Sequence, residues 1–302
     1  MNDIIINKKI YDKLVSEDKL SQRAFDNYHR RSPFYTEVTA TDEFGNVLFT
    51  KRQNETVLGG ALTVLEKLCA IKPVNSQFKV ESINTILGIN SNFVSLENSP
   101  ATSDDVLCLW GIGIGGAGDA FPSRRTVRFY EREIGRNGYT SEMIPFRIVT
   151  ERFPSTSIEG QKYFMCKERS NNGTLYYEYY LKAFENKDDI KTFVLWQDNV
   201  EGEDGNPVES NVYSLDRSDN IEAFVELHLQ LTKKDAREYF ELTNNIEQAR
   251  VNTIGLFTAR KQVVDIGVVD YVNVKMFSKL TFENEPLQNA KIINFTYRIY
   301  VS

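Results

Sequence analysis

A chain of 302 residues with 41% hydrophobic and 26% charged residues can bury about two domains' worth of core, which excludes disorder along its length. Its formal charge of −6 excludes a surface that is basic throughout, the footprint of proteins that hold nucleic acid by displacing counterions, and leaves room only for a local basic patch. With 19 Phe and 15 Tyr against four Met, the composition favours pleated, half-buried strands.

The opening MNDIIINKKIYDKL has one short apolar run before its lysines, so neither a secretory signal nor a transit peptide is expected. No window approaches the ~20 apolar residues of a membrane span, and an intracellular product without a membrane partner is expected. Matches to the glycosylation pattern at Asn54-Glu55-Thr56, Asn172-Gly173-Thr174 and Asn294-Phe295-Thr296 are then chance. Cys69, Cys108 and Cys166 are odd in number and far apart, which fits buried reduced thiols rather than a disulfide framework or a zinc site.

Residues 8–30 are polar, with Ile10, Leu14, Leu20 and Phe25 too sparse for a broad apolar face, so residues 1–36 are expected as a helical arm that packs on a neighbour. FYTEVTATDEFGNVLFTKR alternates on both sides of Gly45-Asn46, the pattern of a hairpin with positive φ at its turn. From Glu55 the apolar period becomes three and four through Val57, Leu58, Ala61, Leu62, Leu65, Leu68 and Cys69, predicting a helix near 55–70 capped by Asn54. Residues 83–103, rich in Asn and Ser, are expected to be irregular.

VLCLW predicts a strand, TVRFYERE and EMIPFRIVTERF read as further strands, and QKYFMCKERSNNGTLYYEYYLKAFE predicts a second hairpin about Asn172-Gly173. TFVLWQ adds a strand before the acidic loop DNVEGEDGNPVES. IEAFVELHLQLT puts Ile221, Ala223, Val225, Leu227, Leu229 and Leu231 on one dry face with only Phe224 out of phase. Thr232 with Asp235 resembles a capping box and starts a helical region near 233–249, through KKDAREYFEL and a shorter NIEQARV. VVDIGVVDYVNVKMFSKLTF and KIINFTYRIYV follow as strands, and neither a repeat nor a heptad array is present. The fold class is therefore α+β and predominantly β, with antiparallel sheets in a sandwich or barrel-like arrangement and a few short helices. Residues 37–152 and 211–302 form its β-rich core, and 153–210 a β-rich insertion.

In CLWGIGIGGAGDAF, Gly111, Gly113, Gly116 and again Gly113, Gly115, Gly118 have dinucleotide spacing. That fingerprint works only when the glycines turn a strand into a helix whose N-terminus faces a pyrophosphate. Here Pro122 and an alternating run follow, so a closely packed or mobile glycine loop is expected instead. The run ends Gly118-Asp119 rather than Gly-Lys-Ser/Thr, which disfavours a triphosphate motor. His29 and His228 are the only histidines, too few for a metal cluster, and no Gly-x-Ser-x-Gly elbow accompanies them. The acidic loop at 198–210 misses the spacing of a calcium hand. No catalytic residue, cofactor or metal is expected. Arg124, Arg125 and Arg128, with Arg132 and Arg136 behind them, form the densest basic stretch; on a strand Arg124 and Arg128 share a face and Arg125 points away.

ETVLGGALTVLEKLCAI, LWGIGIGGAG, MIPFRIV, ARVNTIGLFTARKQV, KMFSKLTF and YRIYVS together resemble virion proteins of large contractile-tailed phages of Gram-positive bacteria, and more narrowly a neck or head-to-tail connector component. The resemblance implies a structural, non-enzymatic subunit of a homo-oligomeric ring. Such a ring seats on the portal, meets other neck and tail proteins and surrounds packaged double-stranded DNA, in a virion assembled in the host cytoplasm. Gly113, Gly115, Gly116, Gly118, Arg124, Arg125 and Arg128 are then expected at a subunit interface or the channel lumen. Connector adaptors are often dominated by long helices, whereas this sequence is mostly strands, so adaptor, stopper, capsid accessory and baseplate roles all stay open. A second reading from the residues alone is a carbohydrate- or receptor-binding β module, on the strength of Trp110, Trp196 and Tyr176, Tyr177, Tyr179 and Tyr180.

Overall fold

In the computed structural model the described residues are 34–53, 63–64, 82–89, 93, 95–114, 117–119, 127–129, 143–184, 189–196, 221–265, 268–287 and 292–301. They form mostly antiparallel sheet with three short helices, as the alternating patterns require. A five-stranded sheet runs in the order β10 (Ile190–Trp196), β11 (Ile221–Leu231), β14 (Ile293–Val301), β1 (Phe34–Thr41) and β2 (Val47–Gln53). A seven-stranded sheet runs in the order β13 (Val268–Pro286), β12 (Arg250–Asp265), β3 (Asp105–Gly113), β9 (Thr174–Ala183) and β7 (Arg147–Val149). Here β6 (Met143–Ile144) also pairs with β3, and β8 (Tyr163–Asn171) with β9. β4 (Ala117–Asp119) and β5 (Val127–Phe129) make a separate ribbon.

The two sheets pack face to face because their strands carry apolar side chains at every second position. On β14, Ile293, Phe295, Tyr297 and Ile299 are at most 5% exposed, and on β11 Leu227, Leu229 and Leu231 share that core with Val38 and Ala40 of β1. Facing them from the seven-stranded sheet are Trp110, Ile112, Ile254, Leu256, Leu280 and Phe282. Phe282 stacks on Phe49 at 4.7 Å and meets Phe295 at 6.0 Å, while the Ser278 and Tyr297 hydroxyls share a hydrogen bond of 3.0 Å across the layer. Each such buried side chain contributes about 1.5–3 kcal/mol of transfer free energy.

β3 and β12 are buried on both faces, so LCLWGIG reads as an apolar run, while VNTIGLFTA, for which no strand was expected, forms β12 with Asn252, Thr253 and Thr258 buried among its apolar residues. The second face of the seven-stranded sheet is a smaller core of Leu109, Met143, Phe164, Leu181, Phe257, Val274 and Met276. Part of its cover is α1 (Ile83–Leu87), which lies against β13 and sends Ile83 into that core. This helix corrects the expectation of irregular structure over 83–103. Ser82 caps it by accepting from the Asn84 N–H, and Gly88 closes it at φ +67 in the left-handed region.

The turns follow the expected chemistry. Asp42 accepts from the Phe44 and Asn46 N–H groups at the first hairpin, with Gly45 at φ +83. Asn172 and Gly173 both take positive φ at the second. α2 (Ile158–Lys162) precedes β8. The helical region near 233–249 is shorter than expected, reduced to α3 (Arg237–Leu242) and a 3-10 turn at Ile246–Gln248. The Thr232–Asp235 capping box forms in half: Asp235 accepts from the Thr232 N–H as a box requires, but the Thr232 hydroxyl donates to the same carboxylate, and α3 starts only after Ala236, with no side-chain cap. Segment 153–210, expected as an insertion, supplies β8 and β9 to one sheet and β10 to the other. Residues 34–36 of the expected arm belong to β1, and residues 1–33 lie outside the described ones. So do the acidic loop at 198–210 and the 55–70 helix, apart from the helical Thr63 and Val64.

Gly111 and Gly255 sit opposite each other on β3 and β12. A Cβ on Gly111 would stand 2.8 Å from Met143 Cε, 3.0 Å from Leu181 Cδ2 and 3.1 Å from Phe257 Cε2, so the rings and branches of the second core occupy the space a side chain would need. Gly111→Val is expected to lower stability by about 1–3 kcal/mol, read as a lower urea midpoint at unchanged slope.

Candidate functional site

The glycine run divides into two places. Gly111 and Gly113 are buried strand residues, Gly113 opposite Thr253 on β12 and Met143 on β6. The exit from β3 is fixed by Asn252, fully buried, whose amide donates to the Ile114 carbonyl at 2.9 Å and to Asn284 Oδ1 at 2.8 Å. Gly118 then lies in the ribbon, directly opposite Arg128, and the ribbon rests on β13. Among the described residues the run leads into this strand and no helix follows it, so it offers no helix N-terminus to a phosphate. Gly115, Gly116, Arg124 and Arg125 lie outside the described residues.

The structure assembles charge elsewhere, at three places the sequence did not single out. The first is where β12 and β13 leave the sheet. Arg260 is the last β12 residue paired with β3, opposite Asp105, and its guanidinium donates to Asp105 Oδ2 at 2.6 Å. Asn273, at φ +55 beside a register shift, donates to Asp105 Oδ1 at 3.0 Å, and the Thr102 N–H donates to Oδ2 at 2.7 Å. Burial alone pushes the Asp105 carboxyl up, but the bonds from Arg260, Thr102 and Asn273 outweigh it and hold it below the usual carboxylate value. Burial pushes the nearby Asp270 carboxyl up.

Beyond this knot, among the described residues, Lys261–Asp265 pair with β13 and with no other strand, so the hairpin projects as a finger about 17 Å long at 3.4 Å per residue. It exposes Val263 (72%) and Val264 (38%). A second finger, the end of the β8–β9 hairpin, points the opposite way. β9 meets β3 only at Leu109–Gly111, and its residues Thr174–Tyr176 run past the Gly113 end of β3 paired to β8 alone. Ser170 to Leu175 are exposed there. One sheet thus sends a β-hairpin out of each end.

The second place is the outer face of the five-stranded sheet. Register aligns Arg52, Glu37, Arg298, Glu226 and Lys191 in one row across all five strands, alternating in sign. Arg298 Nε lies 2.7 Å from Glu226 and its Nη1 3.8 Å from Glu37, and His228 Nε2 lies 2.9 Å from Glu226. His228 is therefore a half-exposed member of a charge ladder of the cross-strand kind.

The third is between the sheets. Lys182 of β9 and Asp235 are 1% and 0% exposed and 3.3 Å apart. The Lys182 ammonium donates to the Gln230 carbonyl at 2.6 Å, and the Tyr163 hydroxyl donates to Asp235 Oδ1 at 2.8 Å. Burial, and then the charge of Asp235, push the Tyr163 hydroxyl well above its usual value. Beside this cluster opens a cavity of about 270 Å³ lined by Trp110, Lys182, Asp189, His228, Gln230 and Asn294 among others. Trp110 and Tyr179 are core residues, 2% and 3% exposed, which removes them as a sugar platform. Cys108 and Cys166 are free thiols, and no helix among the described residues is long and apolar enough to cross a membrane.

No protein-family model, curated protein or solved structure matches the chain. Its class rests on its own geometry: an antiparallel β-sandwich with a projecting hairpin at each end of one sheet.

The two carboxyls near the first finger respond to pH with opposite sign. Asp105, depressed in the folded state, stabilises above its unfolded pKa of about 3.9 and ceases to as pH falls through the folded value. Asp270, raised in the folded state, contributes most below its unfolded value and loses that contribution as pH rises through the folded one. At neutral pH Asp105→Asn is expected to lower stability by about 3 kcal/mol, the cost of an unpaired buried partner, whereas Asp270→Asn is expected to raise it. Urea titrations at neutral pH and near pH 4 check both: Asp270→Asn should approach wild type near pH 4, whereas Asp105→Asn should stay less stable there and approach wild type only in stronger acid, below the folded value of Asp105.

Proposed function

We propose that the chain is a structural virion protein, a subunit of an oligomeric neck ring that joins the phage head at the portal to the tail and surrounds the DNA path. The observation that carries this reading is the pair of hairpin fingers leaving opposite ends of one rigid sheet. Among the described residues neither hairpin pairs with a further strand along its projecting part, and natural proteins cover such edges. On this reading neighbouring copies of the chain, the portal and other neck or tail proteins cover them. The resemblance of LWGIGIGGAG, ARVNTIGLFTARKQV and the other quoted segments to contractile-phage virion proteins supports the same conclusion. The protein works by assembly, without catalysis or cofactor. It is made in the host cytoplasm and ends in the particle beside packaged double-stranded DNA.

Native mass spectrometry of the purified chain, alone and with its portal, is expected to show a ring-sized homo-oligomer. Val263→Asp with Val264→Asp, at the exposed finger, is expected to weaken self-association at least about tenfold, or 1.4 kcal/mol, with the thermal midpoint unchanged. A wild-type chain that stays monomeric with its portal, or that immunogold labelling places outside the virion, refutes the proposal.

A further inference from the structure

We propose that Lys182 and Asp235 are the two halves of a self-formed amide cross-link that ties the two sheets together. This goes beyond the ring reading and does not rest on it. Lys182 comes from β9 and Asp235 from the turn after β11, and both side chains are at most 1% exposed where they meet. Trp110 lies with its ring centroid 5.5 Å from Lys182 Nζ and the Tyr163 ring 6.0 Å away, and Phe146 packs edge-on against Trp110 at 4.9 Å.

The geometry differs from that of an ordinary ion pair. Lys182 Nζ makes its short bond, 2.6 Å, to the Gln230 carbonyl and stands 3.3 Å from Asp235 Oδ2. A charge-assisted N–H···O bond is usually about 2.7–2.9 Å, so the contact to Asp235 is the longer and looser of the two. The two oxygens of Asp235 are also treated unequally. Oδ2 receives the Thr232 N–H at 2.7 Å and the Thr232 hydroxyl at 3.0 Å, the arrangement that stabilises an oxyanion. Oδ1 receives only the Tyr163 hydroxyl among the bonds resolved at that atom, at 2.8 Å, a proton donor on the oxygen that would leave.

The step balances without any co-reactant. The ammonium passes a proton to the carboxylate it faces, giving a neutral amine and a neutral acid. The nitrogen lone pair attacks Cγ, a C–N bond forms, and the carbonyl electrons move onto Oδ2 under the two Thr232 donors. The Cγ–Oδ1 bond then breaks as Tyr163 protonates the departing hydroxyl, which leaves as water. The tyrosinate recovers its proton from the new nitrogen, and the product is an amide in place of two buried charges.

Mass spectrometry of the purified, denatured full-length protein tests this. The wild type is expected to be lighter than its sequence by one water molecule, and proteolysis is expected to yield a branched peptide joining the segments that carry Lys182 and Asp235. Lys182→Arg should carry the full sequence mass, and Tyr163→Phe should form the link about 100-fold more slowly. Should Lys182→Arg fail to fold, the wild-type peptides still decide. A wild type at full mass, with no branched peptide and with Lys182 completely acetylated once unfolded, overturns the proposal.

Discussion

One carboxylate lies where the two layers must be held in register. Asp235 is fully buried, and it collects the Thr232 N–H and hydroxyl, the Tyr163 hydroxyl of β8 and the Lys182 ammonium of β9. A buried charge without such partners is strongly destabilising, so each donor is held in place by the need to satisfy this group. The demand reaches the backbone. Lys182 also bonds the Gln230 carbonyl of β11, in the stretch beyond Leu227, where the recorded pairing with β10 ends. The Ala236 N–H, next in sequence, donates to the Phe146 carbonyl at 2.7 Å and so ties the same turn to the strand region around β7. Hydrophobic burial supplies most of the stabilising free energy of the sandwich, but it is indifferent to sliding of one sheet over the other. Directional bonds to one buried group are not.

The same logic separates what the sequence shows from what it hides. Alternation made β1, β11 and β14 legible because one of their faces is wet: Asn294, Thr296 and Arg298 interrupt the apolar residues of β14 at every second position. Both hairpin turns were legible because Gly45, Asn172 and Gly173 occupy backbone conformations that few residues accept. The doubly buried β12 was missed up to Gln262, since its buried Asn252, Thr253 and Thr258 break any apolar period and its pairing with β3 rests on contacts far apart in sequence. Asp235 was legible as the acidic partner of Thr232 from its spacing, and that local bond formed, but the same carboxylate also meets Lys182, 53 residues away in sequence, which no local signal shows.

Candidate sites were less legible than elements for a related reason. The glycine run drew attention through spacing alone, yet two of its described members serve packing, Gly111 beneath Met143, Leu181 and Phe257 and Gly113 within β3. The charged groups that do converge are scattered along the chain. Asp105 and Arg260 are 155 positions apart, and the Arg52–Glu37–Arg298–Glu226–Lys191 row draws on all five strands. No short motif can reveal such a row, because only strand order brings its members together. The doublet Val263-Val264 was visible as a strand, but its exposure follows from β3 ending at Asp105 and leaving the hairpin unsupported.

These observations converge on a mechanical reading of the fold. The first finger is braced where it departs, since Asp105 binds Arg260 on one strand, Asn273 on the other and Thr102 in the preceding loop, so a load on the hairpin passes into three elements at once. The positive φ at Asn273 and the register shifts near it bend the finger as it leaves the sheet, the usual effect of a bulge. At the opposite end the β8–β9 finger is continuous with the strand that carries Lys182, the residue that reaches into the other sheet. Force applied to either hairpin is therefore delivered to a buried polar anchor rather than to apolar surfaces that slide. Each projection is thus rooted in a buried polar group, and the exposed valine pair Val263 and Val264 lies on the first.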